Sequence, residues 1–181
     1  PAGRGSKASI AVANVKGNVA EIEVSFGKKL KAKDVPAGEW VHVAWAFDGK
    51  SQELYINGTK KDSAPVGASL SGECGFFVGQ NGKTWDKEKS GGEGFAGVLE
   101  DLRILNRKRD DAPGMREAPS SAMPKLGLAL WYDFSGNSAE DRSGSGLSGW
   151  DDRSAAKNEA GWTAWEKGAK ALTLVEDQSN R

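Results

Sequence analysis

The chain has 181 residues, enough for one domain of ordinary size that buries roughly 70% of the surface its unfolded form exposes. Lys plus Arg and Asp plus Glu number 25 each, so the formal charge is zero and no single-sign field draws the chain to nucleic acid or an anionic membrane. No run of about 18 apolar residues occurs, which excludes a helical membrane span, while 24 glycines beside 38% hydrophobic residues suit short strands joined by many turns.

From Ala8 to Leu30 apolar residues alternate with polar ones: Ile10, Val12 and Val15, then Val19, Ile22, Val24 and Phe26, on either side of Lys16-Gly17-Asn18. This pattern predicts two strands about a tight turn. After the turn signal Val35-Pro36-Ala37-Gly38 comes WVHVAWAFD, apolar at almost every position, the pattern of a central strand covered on both faces. Asp48-Gly49-Lys50-Ser51 reverses the chain and ELYI returns as the partner strand. Asn57-Gly58 then turns it again, because both residues tolerate positive φ.

Further on, Gly75 to Gly79 (GFFVG) predicts a short apolar strand. Gly94 to Leu105 predicts another, with Phe95, Val98, Leu99, Leu102 and Ile104 between polar partners. The stretch between them, QNGKTWDKEKSGGE, is a long polar loop carrying Trp85, a natural place for ligand contact. Residues 106–125 shift to Arg, Asp, Pro and Ser, with Pro113, Pro119 and Pro124, and read as a linker or surface arm. A second block begins with the strand signal GLALWYDFSGN at Gly127, passes through the turn-rich AEDRSGSGLSG, and ends with the short strand in AKALTLVEDQSNR. Between these, GWDDRSAAKNEAGWTAW gathers Trp150, Trp162 and Trp165 in a polar setting. No internal repeat is present.

Cys74 is the only cysteine, so no internal disulfide forms, and one histidine gives no zinc cluster. The opening PAGRGSK lacks the apolar core of a signal peptide. The expectation is that a leader has been removed or that the chain is a piece of something longer.

The succession GEWVHVAWAFDG, ELYINGT, FFVGQ and FAGVLEDLRILNR, from Gly38 to Arg107, resembles the laminin-G-like, concanavalin-like jelly-roll domains common in secreted bacterial proteins. The resemblance implies an all-β, antiparallel jelly-roll sandwich working outside the cell or in the periplasm. In the second block, LALWYDFSGN resembles the first strand of such a domain, DRSGSG its glycine-rich turn, and KGAKALTLVEDQS the strand after it. The order is therefore unusual, since strands that open the domain follow those that close it. Two arrangements fit. In a circular permutation the trailing strands fold back onto the same sandwich. Otherwise the chain holds the end of one domain and the start of another, with open sheet edges that invite a strand from a neighbouring chain. The segments are then 1–107, the main part of the sandwich, 108–126, the linker or arm, and 127–181, the trailing strands.

His42 lies in the densest apolar strand with no orienting carboxylate or nucleophile specified nearby, so it reads as structural. Of the carboxylate pairs Glu100-Asp101, Asp110-Asp111 and Asp151-Asp152, the first falls in a predicted strand, where neighbours point to opposite faces and cannot meet one substrate. The E-x-D-x-x-E spacing of concanavalin-like glycosidases does not occur. By the resemblance, Glu100 and Asp101 match structural positions of the last strand, so no catalysis is expected. Asp133, Asn137 and Asp141 can supply the hard oxygen ligands of a calcium ion, or can simply be turn formers. For a glycan, Trp85 with Asn81 and Asp86 provides a stacking face beside polar groups, and Trp150, Trp162 and Trp165 are further candidates. Trp40, Trp45 and Trp131 are expected in the core. The reading that results is a non-catalytic binding module for a glycan or a protein surface, an accessory part of a larger secreted protein. Two alternatives accompany it: a self-assembling structural subunit that exchanges strands with its neighbours as a homo-oligomer, and a fragment of a polysaccharide-active enzyme.

Overall fold

The computed structural model describes residues 8–66, 78, 97–106, 127–134 and 139–148, and the backbone of two further strands at 161–164 and 170–174. Every regular element among them is a β-strand, and every pairing is antiparallel. The chain divides into two compact units; the described residues of the first are 8–66 and those of the second begin at 78.

In the first unit, β1 (Ser9–Lys16), β2 (Val19–Phe26) and β3 (Lys28–Pro36) form a sheet in that order. The predicted turn after Lys16 is present, with Gly17 at φ 59°, a left-handed conformation open to glycine at little cost. β3 was not legible beyond Leu30, because lysines dominate it. Its Leu30, Ala32 and Val35 are nevertheless buried on one face, while Lys29 and Lys31 lie on the other and pair with Glu23 at 2.5 Å and Glu21 at 2.8 Å. Exposed pairs like these contribute little to stability; the apolar face is what fixes the strand.

β4 (Val43–Phe47), β5 (Ser51–Ile56) and β6 (Thr59–Pro65) form the second sheet. The predicted hairpin is there, in register from Val43↔Ile56 to Phe47↔Gln52. Its turn is set by Asp48, whose Oδ1 accepts the N–H groups of Lys50 (2.9 Å) and Ser51 (2.7 Å). Among the described strands β4 pairs with β5 and is half-buried along its length, while β5 lies between β4 and β6 with Leu54, Tyr55 and Ile56 buried. Asn57 (φ 49°) and Gly58 (φ 78°) make the turn into β6, the double positive φ of a type I′ hairpin.

The apolar faces of the two sheets share one core of Ile22, Val24, Leu30, Ala32, Val35, Leu54, Ile56 and Ala64, with Val12, Val41, Val43 and Trp45 packed partly buried against it. β3 lies against β5 and β6, and the N–H of Lys31 donates to Asp62 Oδ2 at 2.9 Å.

The second unit holds β7 (Gly97–Leu99), β8 (Leu102–Leu105), β9 (Leu128–Tyr132), β10 (Gly161–Ala164) and β11 (Lys170–Leu174), in one sheet of order β10-β11-β7 and one of β8-β9. The single strand expected to run to Leu105 is broken at Glu100-Asp101, where Asp101 adopts φ 55°, and its halves enter different sheets. The strand predicted from Gly127 pairs within the chain: Leu102↔Tyr132, Arg103↔Trp131 and Ile104↔Leu130. Likewise β11 pairs with β7 through Leu172↔Leu99. Leu130, Tyr132 and Phe134 form the core of this unit, with Leu99, Leu102 and Ala139 against them. The tryptophan-rich segment, expected to be a polar stretch between strands, contains β10, in which Trp162 stands opposite Leu172. Gly161 and Ala164 are poor strand formers, so these four residues carry little strand signal of their own. Except for Val78, the GFFVG segment lies outside the described residues.

Candidate functional site

The β8-β9 pairing sets Arg103 beside Trp131, and a left-handed turn at Asp101 brings a carboxylate to both. Arg103 Nε donates to Asp101 Oδ1 at 2.6 Å, and Trp131 Nε1 donates to the same oxygen at 2.9 Å. The guanidinium carbon stands 5.4 Å from the centre of the Trp131 ring, within reach of a cation–π attraction. The Arg103 side chain is only 7% exposed and that of Asp101 21%, so this is a largely desolvated ion pair whose partners depend on each other. Asp101 is thus engaged as an anchor. Its neighbour Glu100 has a carboxyl pushed up, first by burial and then by the charge of Asp101. The two carboxylates do not lie within one strand, as had been expected, but in the break between β7 and β8.

The second constellation is the loop that follows β9. Asp141 Oδ1 accepts the N–H groups of Trp131 (3.1 Å) and Ser143 (2.9 Å), and Oδ2 accepts that of Leu147 (3.1 Å). Partial burial opposes ionisation of Asp141, but the bonds from Ser143, Leu147 and Trp131 outweigh it and hold the carboxyl at about 2. The Tyr132 hydroxyl donates to the carbonyl of Leu147 at 2.5 Å, and the Arg142 N–H donates to the carbonyl of Trp131 at 2.8 Å. Gly144 (φ 90°) and Gly146 (φ 74°) permit the tight return. The outcome is a preformed loop tied to β9 by side chains and backbone alike.

Of the residues considered for calcium, Asn137 lies outside the described residues. Asp133 faces Arg142, with Oδ2 3.5 Å from Nε, and the oxygens of Asp141 receive three backbone N–H groups. That is the geometry of a turn former. Among the described residues no three His, Cys, Asp or Glu side chains gather into a possible ion site. Of the glycan candidates, Asn81, Trp85, Asp86, Trp150 and Trp165 lie outside the described residues, and Trp162 is placed in β10. Trp131 is buried, as expected, and Trp45 is partly buried against the first core, but Trp40 is 39% exposed rather than in a core.

Sequence reasoning missed two polar anchors. One is the Asp101, Arg103 and Trp131 cluster. The other is Gln52 in the first unit, which is 0% exposed. Its Nε2 donates to the carbonyls of Phe26 (2.9 Å) and Lys28 (2.6 Å), and its Oε1 accepts from Trp45 Nε1 at 3.2 Å. Around it, Phe26 meets Trp45 and Phe47 edge-on at 5.6 and 5.1 Å. The available signal was parity: Gln52 shares the inward face of β5 with Leu54 and Ile56.

Comparison with known families now bears on this arrangement. A laminin-G family model, described as the concanavalin A-like lectin/glucanases superfamily, matches residues 4–112, more than half of the chain. The chain belongs to that superfamily. The match spans β1 to β8, and the strands that pair with the last two of these, β9 and β11, lie beyond the matched residues. Neither the curated proteins nor the solved structures gave a match. Membership carries the antiparallel β-sandwich expected from the sequence and, in general terms, a module that binds carbohydrate or protein.

Proposed function

We propose that this chain is a non-catalytic module that recognises a glycan or a protein surface as an accessory part of a larger secreted protein, outside the cell or in the periplasm. Superfamily membership is the observation that carries the reading. The bonding of Asp101 and Asp141 supports it. A glycosidase needs two carboxyl groups with a substrate between them, one free to give a proton and the other free to accept one or to attack. Here Asp101 is tied to Arg103 and Trp131, and Asp141 to three N–H groups. Both carboxylates are thus engaged by donors of the fold itself. For the ligand-contacting surface we assign Trp85 with Asn81 and Asp86, and Trp150, Trp162 and Trp165 as further contacts, because an indole face covers the apolar face of a pyranose ring while amide and carboxylate groups fix its hydroxyls.

A glycan array probed with the wild-type chain and with Trp85→Ala tests the proposal. The expected result is selective binding by the wild type, reduced at least tenfold in the variant. Absence of glycan and protein ligands for both, or release of reducing ends from a polysaccharide panel, overturns it.

A further inference from the structure

Among its described strands, the first unit has one covered side and one edge strand with a single partner. On the closed side β3 lies against β5 and β6, and the core side chains of these strands and of β2 are buried. The other sheet edge is β1, which among the described strands pairs only with β2. Register places Ile10 opposite Val24, Val12 opposite Ile22 and Val15 opposite Ala20. All three partners are buried core residues, so Ile10, Val12 and Val15 lie on the inward, apolar face of the sheet. Yet Ile10 is 51% and Val15 61% exposed. The inward face thus extends past the second sheet, along a strand whose outer row of N–H and C=O groups faces away from β2.

We infer that β1 is an association edge for a second copy of this chain, pairing antiparallel with its own counterpart across a two-fold axis. The charge and parity of the strand point to that occupant. From Ser9 to Val15 the strand SIAVANV carries no charge, no proline and no glycine. Natural edges are commonly protected by lysine or proline, and here the only charge is Lys16 at the far end. Parity is the more specific argument. In an antiparallel pair, residues directly opposite share a face. A regular eight-residue strand paired end to end with itself would set odd positions against even ones and so mix the faces. β1 has a register shift between Val12 and Asn14, and one extra residue reverses the alternation beyond it. Ser9 then meets Lys16 of the second copy, and Ala11 meets Asn14, both on the outer face. Ile10 meets Val15 on the inner face. The bulge that spoils a regular strand makes this one self-complementary, sets no like charges opposite each other, and covers the two most exposed inward residues with one another.

Two measurements test the pairing. Light scattering with size exclusion over a concentration series is expected to show a dimer for the wild type and a monomer for Val15→Lys, whose position is exposed enough to accept the charge without unfolding; an unchanged circular dichroism spectrum verifies this. In a Cys74→Ser background, mixing Ala11→Cys and Asn14→Cys chains is expected to give an oxidised heterodimer, with little cross-linking of either variant alone. A wild type that stays monomeric at its highest soluble concentration overturns the inference. So does Asn14→Cys cross-linking to itself as well as to Ala11→Cys, because that register does not cover Ile10 with Val15.

Discussion

At the scale of single residues, stability rests on a few polar side chains that the core encloses. Asp101 is the clearest case. The Arg103 guanidinium is nearly buried and has this carboxylate as its charged partner, while its Nη2 finds no acceptor among the described residues. Removing the anion leaves a buried cation unpaired, which costs about 3–5 kcal/mol. Asp101→Ala is therefore expected to lower the unfolding free energy by about that amount in a urea titration, and Arg103→Leu added to it is expected to restore much of the loss. Equal, additive losses from the two changes contradict an ion pair here.

Asp141 acts through the same kind of chemistry with a pH signature. Its folded carboxyl sits at about 2, below the unfolded value near ~3.9. The sign follows from linkage: the contribution is fully present above the unfolded value and is lost as pH falls through the folded one. Thermal midpoints measured between pH 5 and pH 2 are expected to fall in the lower part of that range, and to fall less in Asp141→Asn. Glu100 has the opposite sense, since its raised carboxyl favours the folded state while protonated and weakens it as pH rises above the ordinary glutamate range.

Among elements, the turns are the sharpest determinants. Asn57 and Gly58 both hold positive φ, and the turn sets the register of β5 against β6 as well as bonding Asn57 back to His42: Asn57 Oδ1 accepts the His42 N–H at 2.9 Å, and the Asn57 N–H donates to the His42 carbonyl at 2.9 Å. A β-branched side chain in the left-handed region costs roughly 1–2 kcal/mol. Gly58→Val is thus expected to reduce stability by about that much in a denaturant titration, and Asn57→Gly to be nearly neutral. Losses of equal size at both positions exclude a type I′ turn as the reason. These turns were legible because their chemistry is local. β3 and β10 were not, since each takes its strand form from a partner: β3 pairs with β2 along its length, and β10 pairs with β11.

For the whole molecule, the notable feature is the path of the chain. β9 and β11 pair with β8 and β7 across long separations in sequence, so the strand from Gly127 has its partner within this chain. Recognition as proposed above also depends on the whole molecule, because loops serve as a binding surface only when a rigid scaffold positions them. The place of β1 at the edge of its sheet among the described strands is likewise visible only in the assembled sheet.

The all-β class, the hairpin from β4 to β5, its turns and the superfamily were legible in the sequence, since alternation, turn residues and ordered motifs are local patterns read without knowing what packs on what. It also suggested that Asp133, Asn137 and Asp141 were either ion ligands or turn formers. Only the tertiary structure placed Asp141 as a turn former, because the donors that fill its oxygens come from Trp131, Ser143 and Leu147 and are brought together by the return of the loop onto β9. Only the packed structure broke the strand at Asp101 and joined Arg103 to Trp131. In each case the deciding quantity was which groups lose water together, and that is a property of the packed chain rather than of any one segment of it.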